Sequence, residues 1–179
     1  MAVRGEQLSV PFEQAEYDAR LEKARRLMER KGIEVLMIRE PINIFYLTGY
    51  NTFGISNYAI LFVPLEGEVG LLVRYLERPI AFTTSWLQEQ QVEAWDDHEN
   101  PHQVTRRFLE ARNWLSRRVA FEKSSSYCSV QEYEKLHGAL GIELADGSGI
   151  IEELRKIKSP AEIAFIRQAA RYTEIGVKA

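Results

Sequence analysis

The sequence predicts an α/β fold, a mixed sheet with helices on its faces. Three observations predict it. Short apolar runs of strand length recur at Glu34–Arg39, Tyr58–Val63, Gly70–Val73, Val92–Trp95, Arg118–Glu122 and Ile142–Ala145. Segments with apolar residues at helical spacing separate most of these runs. Two neighbouring runs, YAILFV and GLLV, are joined only by a Pro-Leu-Glu-Gly-Glu turn, which makes them a hairpin within an otherwise alternating order.

The elements follow in chain order. Residues 1–11 read as a loose leader, without the apolar stretch of a secretory signal. Phe12–Lys31 is an amphipathic helix with Tyr17, Leu21, Ala24, Leu27 and Met28 on one face. Phe12 is placed to staple onto Tyr17, and Gly32 is the stop. After the first strand, Pro41 opens a short helix through Asn43–Leu47, ended by Gly49. Beyond the hairpin, Glu77–Gln88 holds a helix. Asn100-Pro101-His102-Gln103 starts another that runs to about Leu115. Ser129 and Glu132 form a capping box for a helix to Leu140. Ser148–Ile157 forms one helix. A second capping box, Ser159 with Glu162, opens the last helix, whose stripe of Ile163, Ile166, Ala170 and Thr173 has nothing in sequence left to pack against. The chain is therefore expected to be the start of a longer protein, with a domain boundary near residues 148–158.

With 179 residues, 45% of them hydrophobic and 27% charged, the composition is that of a globular domain able to bury a core without disulfides. No run approaches about 18 uninterrupted apolar residues, so no membrane partner is expected. The formal net charge of −3, from 23 basic and 26 acidic residues, is no footprint for nucleic acid. A single cysteine excludes an internal disulfide framework, and the cytoplasm is the expected compartment.

Chemistry-bearing residues are sparse. His98 and His102 are four apart with Asp96 and Asp97 beside them, a spacing known from metal sites. The pair straddles Pro101, however, and His102 reads as an ordinary surface position in a first helical turn. Cys128 precedes a helix N-terminus, a setting that can lower a thiol pKa, but no motif supplies a base. His137 reads as a surface or boundary residue. No nucleophile elbow, zinc-protease helix or phosphate-binding glycine loop occurs. The segment that stands out is Thr48–Asn57, a loop with two aromatics, two glycines and polar residues. It reads either as a binding loop or as a connector whose aromatics fold back onto the core.

Four stretches carry a family resemblance. They are Glu16-Tyr17-x-x-Arg20-Leu21 through Met28-x-x-Lys31-Gly32-Ile33-Glu34-Val35-Leu36, then Pro41-x-Asn43-Ile44-x-Tyr46-Leu47-Thr48-Gly49-Tyr50, then Arg118-Val119-Ala120-Phe121-Glu122, and finally Ile151 through Ala170 around Ser159-Pro160-x-Glu162. In combination they resemble the N-terminal domain of the creatinase / prolidase / aminopeptidase P family, over nearly all of residues 12–179. The resemblance implies a creatinase/prolidase-type domain over 12–150. Residues 151–179 would then be the hinge and first helix of a C-terminal pita-bread catalytic domain.

The resemblance further implies a non-catalytic dimerisation and substrate-gating domain. Its partners would be its own catalytic domain, a homodimer mate and a small peptide, amide or amidine substrate. No catalytic residue and no metal ligand carries over onto this chain; in a peptidase, two divalent ions (Mn, Co, Fe or Zn) would lie in the catalytic domain. The most direct expectation is an Xaa-Pro dipeptidase or aminopeptidase; the alternatives are a metal-independent creatinase-like or ectoine-hydrolase-like amidohydrolase, and a stand-alone interaction module. By the resemblance, the loop Tyr50–Asn57 reaches the partner's active site. Tyr50, Asn51, Thr52 and Phe53 are its candidate pocket wall. Arg74 is a candidate for a substrate carboxylate, with Glu77 able to pair with it instead.

Overall fold

A computed structural model describes residues 10–178; most of the expected leader lies outside them. Six strands form one mixed sheet in the order β4-β3-β2-β1-β5-β6. They are β1 (Val35–Ile38), β2 (Ile60–Pro64), β3 (Gly70–Arg74), β4 (Val92–Trp95), β5 (Val119–Phe121) and β6 (Ala145–Asp146). β1 to β3 pair antiparallel in succession, whereas β4 joins β3, β5 joins β1 and β6 joins β5 in parallel. The expected hairpin is the β2–β3 pair, with Ile60 opposite Leu72.

Strand alternation sends side chains to two cores. Leu36, Ile38, Leu61, Val63, Leu71 and Val73 face one side, where α1 (Gln14–Arg30), α2 (Pro41–Thr48), α3 (Arg78–Thr84) and α6 (Ile150–Lys156) contribute their apolar residues. Val35, Met37, Ile60, Phe62, Leu72 and Phe121 face the other, under α4 (Pro101–Ala111) and α5 (Val130–Leu140). Phe62 stacks on Phe108 of α4 at 4.4 Å between centroids. Both faces are covered, which is why the central strands read as continuous apolar runs.

Some boundaries differ from expectation, each for a local reason. The segment Glu77–Gln88 is not one helix. Tyr75–Glu77 is a 3-10 turn, α3 stops at Thr84, and Trp86 turns away to donate its indole N–H to the Leu47 carbonyl at 3.0 Å. α4 ends at Ala111 rather than near Leu115, because Asn113 takes a left-handed conformation (φ 56°) and Trp114 N–H closes back onto Leu109 O. Ile142 and Leu144 pack into the second core instead of on the ladder, leaving β6 two residues long. The Ser129–Glu132 box is half formed: Ser129 Oγ accepts from Glu132 N–H, but the Glu132 carboxylate goes to His102. The Ser159–Glu162 box closes in both directions.

Arg20 ties the first core's helices together. Its buried guanidinium donates to Tyr46 O at 2.7 Å and to Glu16, and it lies 4.2 Å from the Tyr46 ring centre and 4.3 Å from that of Phe12. Phe12 does meet Tyr17, edge to face at 6.0 Å. Ile150 and Ile151 of α6 are buried in the same core. The last helix, α7 (Pro160–Lys178), buries no residue. It touches the rest through Glu162, 3.7 Å from Arg20, and Phe165, which packs edge to face on Phe12.

Candidate functional site

The C-terminal end of α2 builds the base of the site. Thr48 Oγ1 donates to Ile44 O at 2.7 Å and accepts from Tyr50 N–H at 3.0 Å. Gly49 closes the helix at φ 80°, a conformation costly for any residue with a Cβ; a Cβ there would also lie 2.9 Å from the Tyr17 hydroxyl. The Leu47-Thr48-Gly49 signature is thus a helix stop that aims the next residue, Tyr50, inward.

Tyr50 is buried, and its hydroxyl donates to Glu77 Oε2 at 3.1 Å. Thr52 Oγ1 donates to the same carboxylate, and Asn57 Nδ2 donates to its other oxygen at 3.1 Å. Burial first, then the Glu77 charge, pushes the Tyr50 phenol above its ordinary range, so it stays a donor. A Cβ on Gly54 would run into the ends of the Asn57 and Glu77 side chains, so a larger residue there would have to displace the groups that tie the loop to the carboxylate. Asn51 N–H anchors to Thr84 Oγ1 at 3.1 Å. Phe53, at the centre of this tethered loop, is fully exposed.

Between the loop and α2 lies a cleft of about 420 Å³, lined by Arg39, Ile42, Phe45, Tyr50, Thr52 and Tyr127 among others. Arg39 follows β1 directly and is buried. Its Nη1 donates to Asn57 O at 3.1 Å and Ala59 O at 3.3 Å, and the guanidinium lies 5.1 Å from the Tyr58 ring centre.

The structure therefore brings Tyr50, Asn51 and Thr52 together on the cleft wall, whereas Phe53 projects from the loop instead of lining the cleft. Arg74 is elsewhere. Its Nε and Nη2 both engage Asp97 at 2.6 Å, a bidentate pair whose hydrogen bonds hold Asp97 below the usual carboxylate range. Glu77 does not pair with Arg74, as the sequence allowed; it is the buried acceptor beneath the loop.

The remaining candidates separate. His98 is exposed and 3.4 Å from Asp96. His102 is buried rather than at the surface, because α5 packs over the first turn of α4. Its Nε2 lies 3.2 Å from Glu132 and its Nδ1 3.1 Å from Asn100. Cys128 is half-buried, and burial raises its pKa, the opposite of nucleophile activation. Among the described residues no group of three or more His, Cys, Asp or Glu could hold a metal ion. The two divalent ions implied by the resemblance have no ligand set there. No described helix is long and apolar enough to cross a membrane.

One polar cluster was not read from the sequence. Glu122, closing β5, accepts from the backbone N–H groups of Arg39 (3.0 Å) and Glu40 (2.7 Å) and from Asn43 Nδ2. Asn43 also donates to Glu152 at 2.8 Å and accepts from Arg155 at 2.8 Å. The Asn of the α2 motif thus joins β5 to α6. Burial is the chief reason that Glu122 is pushed up to about 7.

Comparisons with known proteins agree with this architecture. Residues 20–157 match the family model described as the creatinase/prolidase N-terminal domain. The chain is 32% identical over 173 residues to ectoine hydrolase of Halomonas elongata, covering 92% of this chain and 43% of that protein. It superposes on a dipeptidase from Pyrococcus horikoshii with a TM-score of 0.70 and 27% identity, over 88% of this chain and 44% of that one. It superposes on a proline dipeptidase from Streptococcus pneumoniae with a TM-score of 0.65 and 27% identity, over 77% and 98%. The chain spans less than half the length of the curated relative. The mixed sheet, the α2 signature with its glycine stop and the family match lead to one conclusion: this chain belongs to the creatinase/prolidase N-terminal domain family.

Proposed function

We propose that this domain is the non-catalytic N-terminal module of a homodimeric C–N bond hydrolase, and that its Tyr50–Asn57 loop closes the active site of the partner subunit. The observation that carries the reading is the contrast within that loop. Tyr50, Thr52 and Asn57 are tied to one buried carboxylate, while Phe53 between them offers its whole ring to solvent. A tethered loop with an unburied aromatic tip is built to meet something outside its own domain. A wall of that kind excludes water and fixes the substrate rather than breaking bonds.

The solved dipeptidase structures support an Xaa-Pro dipeptidase or aminopeptidase, in which two divalent ions would be held by the catalytic domain. The likeness to ectoine hydrolase supports a second reading, an amidohydrolase of a small molecule. Residues 151–179 would then lead into that catalytic domain, in a protein of the cytoplasm. The test uses the full-length protein. It is assayed on Gly-Pro and Ala-Pro with added manganese, and on ectoine and creatine without it, with its mass in solution measured alongside. Hydrolysis of one class by a dimer supports the reading and selects the branch. A monomer, or a protein inert towards all four, overturns it.

A further inference from the structure

We propose that the cleft beneath the Tyr50–Asn57 loop is a small-molecule site, with Arg39 as its anion-recognition residue and a carboxylate on a compact apolar body as its ligand. Arg39 is 96% buried on the 4% exposure of its surface, yet it has no ion-pair partner among the described residues. Its Nε is buried and has no acceptor among the described residues. Burial is the chief influence on its pKa and lowers it, against the opposing fields of Tyr58, Glu132, Cys128 and Glu40, none of which forms an ion pair with it. An unpaired buried charge is costly, so its persistence points to a partner that arrives from outside.

The acids around it are engaged elsewhere. Glu40 accepts from Ser125 Oγ and Ser126 N–H, both at 3.1 Å. Glu132 is committed to His102, Glu122 to the backbone of residues 39 and 40, and Glu77 to the loop. Meanwhile Nη1 is pinned by two carbonyls, which fixes the plane of the guanidinium without neutralising it. A carboxylate is the anion whose two oxygens match the Nε edge of such a fork. The volume of about 420 Å³ suits a small ligand, and Ile42, Phe45 and Tyr50 supply an apolar wall for its body.

The inference does not rest on the gating reading, because it concerns binding by this chain and not turnover by a partner subunit. The test is calorimetric titration of the 179-residue chain with N-acetyl-L-valine, its neutral amide and inorganic phosphate. Saturable binding of the acid is expected, weakened about tenfold or more for the amide, for phosphate and for Arg39→Lys, which keeps the charge but loses the fork. Ile42→Trp, at the exposed lip of the cleft, narrows the site without touching Arg39, and should weaken the acid similarly even if an Arg39 variant fails to fold. Equal binding of acid and amide, phosphate binding as tight as the acid, or no saturation by the acid would each overturn the proposal, and all three would leave the kinetic test of the loop unaffected.

Discussion

The Tyr50 hydroxyl donates to Glu77 Oε2 at 3.1 Å and holds the base of a loop whose tip residue, Phe53, leaves its whole ring exposed. The two aromatics are three positions apart and have opposite fates. One is a structural anchor, and the other is available for work outside the domain.

Phe53→Ala separates these roles. With the ring exposed, its removal leaves no cavity and the unfolding midpoint should not move. Under the proposed function, KM of the full-length protein should rise, with about 1–3 kcal/mol lost in kcat/KM where the ring touches substrate. Denaturant melts and steady-state kinetics on one variant check this. Unchanged kinetics would remove Phe53 from the site.

Glu77→Ala should act in the opposite way. It leaves the Tyr50 hydroxyl and the Asn57 amide without their buried acceptor, at a cost of about 1–3 kcal/mol in stability. Amide exchange in residues 50–57 should accelerate, while the α4–α5 side of the sheet keeps its protection. Tyr50→Phe removes one donor and leaves the other two, so it should cost less than Glu77→Ala. A larger loss for Tyr50→Phe would mean that Glu77 is not the hub.

Zinc or manganese should find no tight site in this chain. His98 points to solvent beside Asp96, and His102 is locked between Asn100 and Glu132. Calorimetry should show nothing stronger than about tens of micromolar. A stoichiometric nanomolar site lost in His102→Ala would contradict this reading.

Much of the sheet was legible because each central strand is apolar on both sides, as Leu36, Met37 and Ile38 show: two cores demand it. The α2 stop was legible because Gly49 has a local task. What sequence could not show depended on distant partners. Arg39 follows β1 and Arg74 ends β3, but only the fold reveals that Asp97 reaches Arg74 and that no acid among the described residues pairs with Arg39. Tyr50 and Phe53 are equally aromatic on paper, and the buried carboxylate that tells them apart lies more than twenty residues on. Glu122 looked like the polar end of a strand. Its work is to accept the amides that open α2, which no local pattern announces.

Glu122 also sets an expected pH dependence. Its carboxyl is raised from an ordinary 4.5 to about 7, chiefly by burial and further by the Glu152 charge, against the opposing hydrogen bonds from Glu40, Asn43 and Arg39. The folded protein therefore holds this proton over a range in which the unfolded chain has released it. The stabilisation is complete below about 4.5 and is lost as pH rises through about 7, so over that window stability falls with rising pH. A shift of this size corresponds to roughly 3 kcal/mol over the whole range. Glu122→Gln cannot titrate, yet it keeps an oxygen able to accept from the backbone of residues 39 and 40. Its stability should be flatter with pH, and relative to the parent it should gain on going from about pH 5 to about pH 8. Urea melts of both proteins at several pH values across this window measure the slope directly. Parallel curves would show that Glu122 enters the fold already ionised, with burial failing to hold its proton.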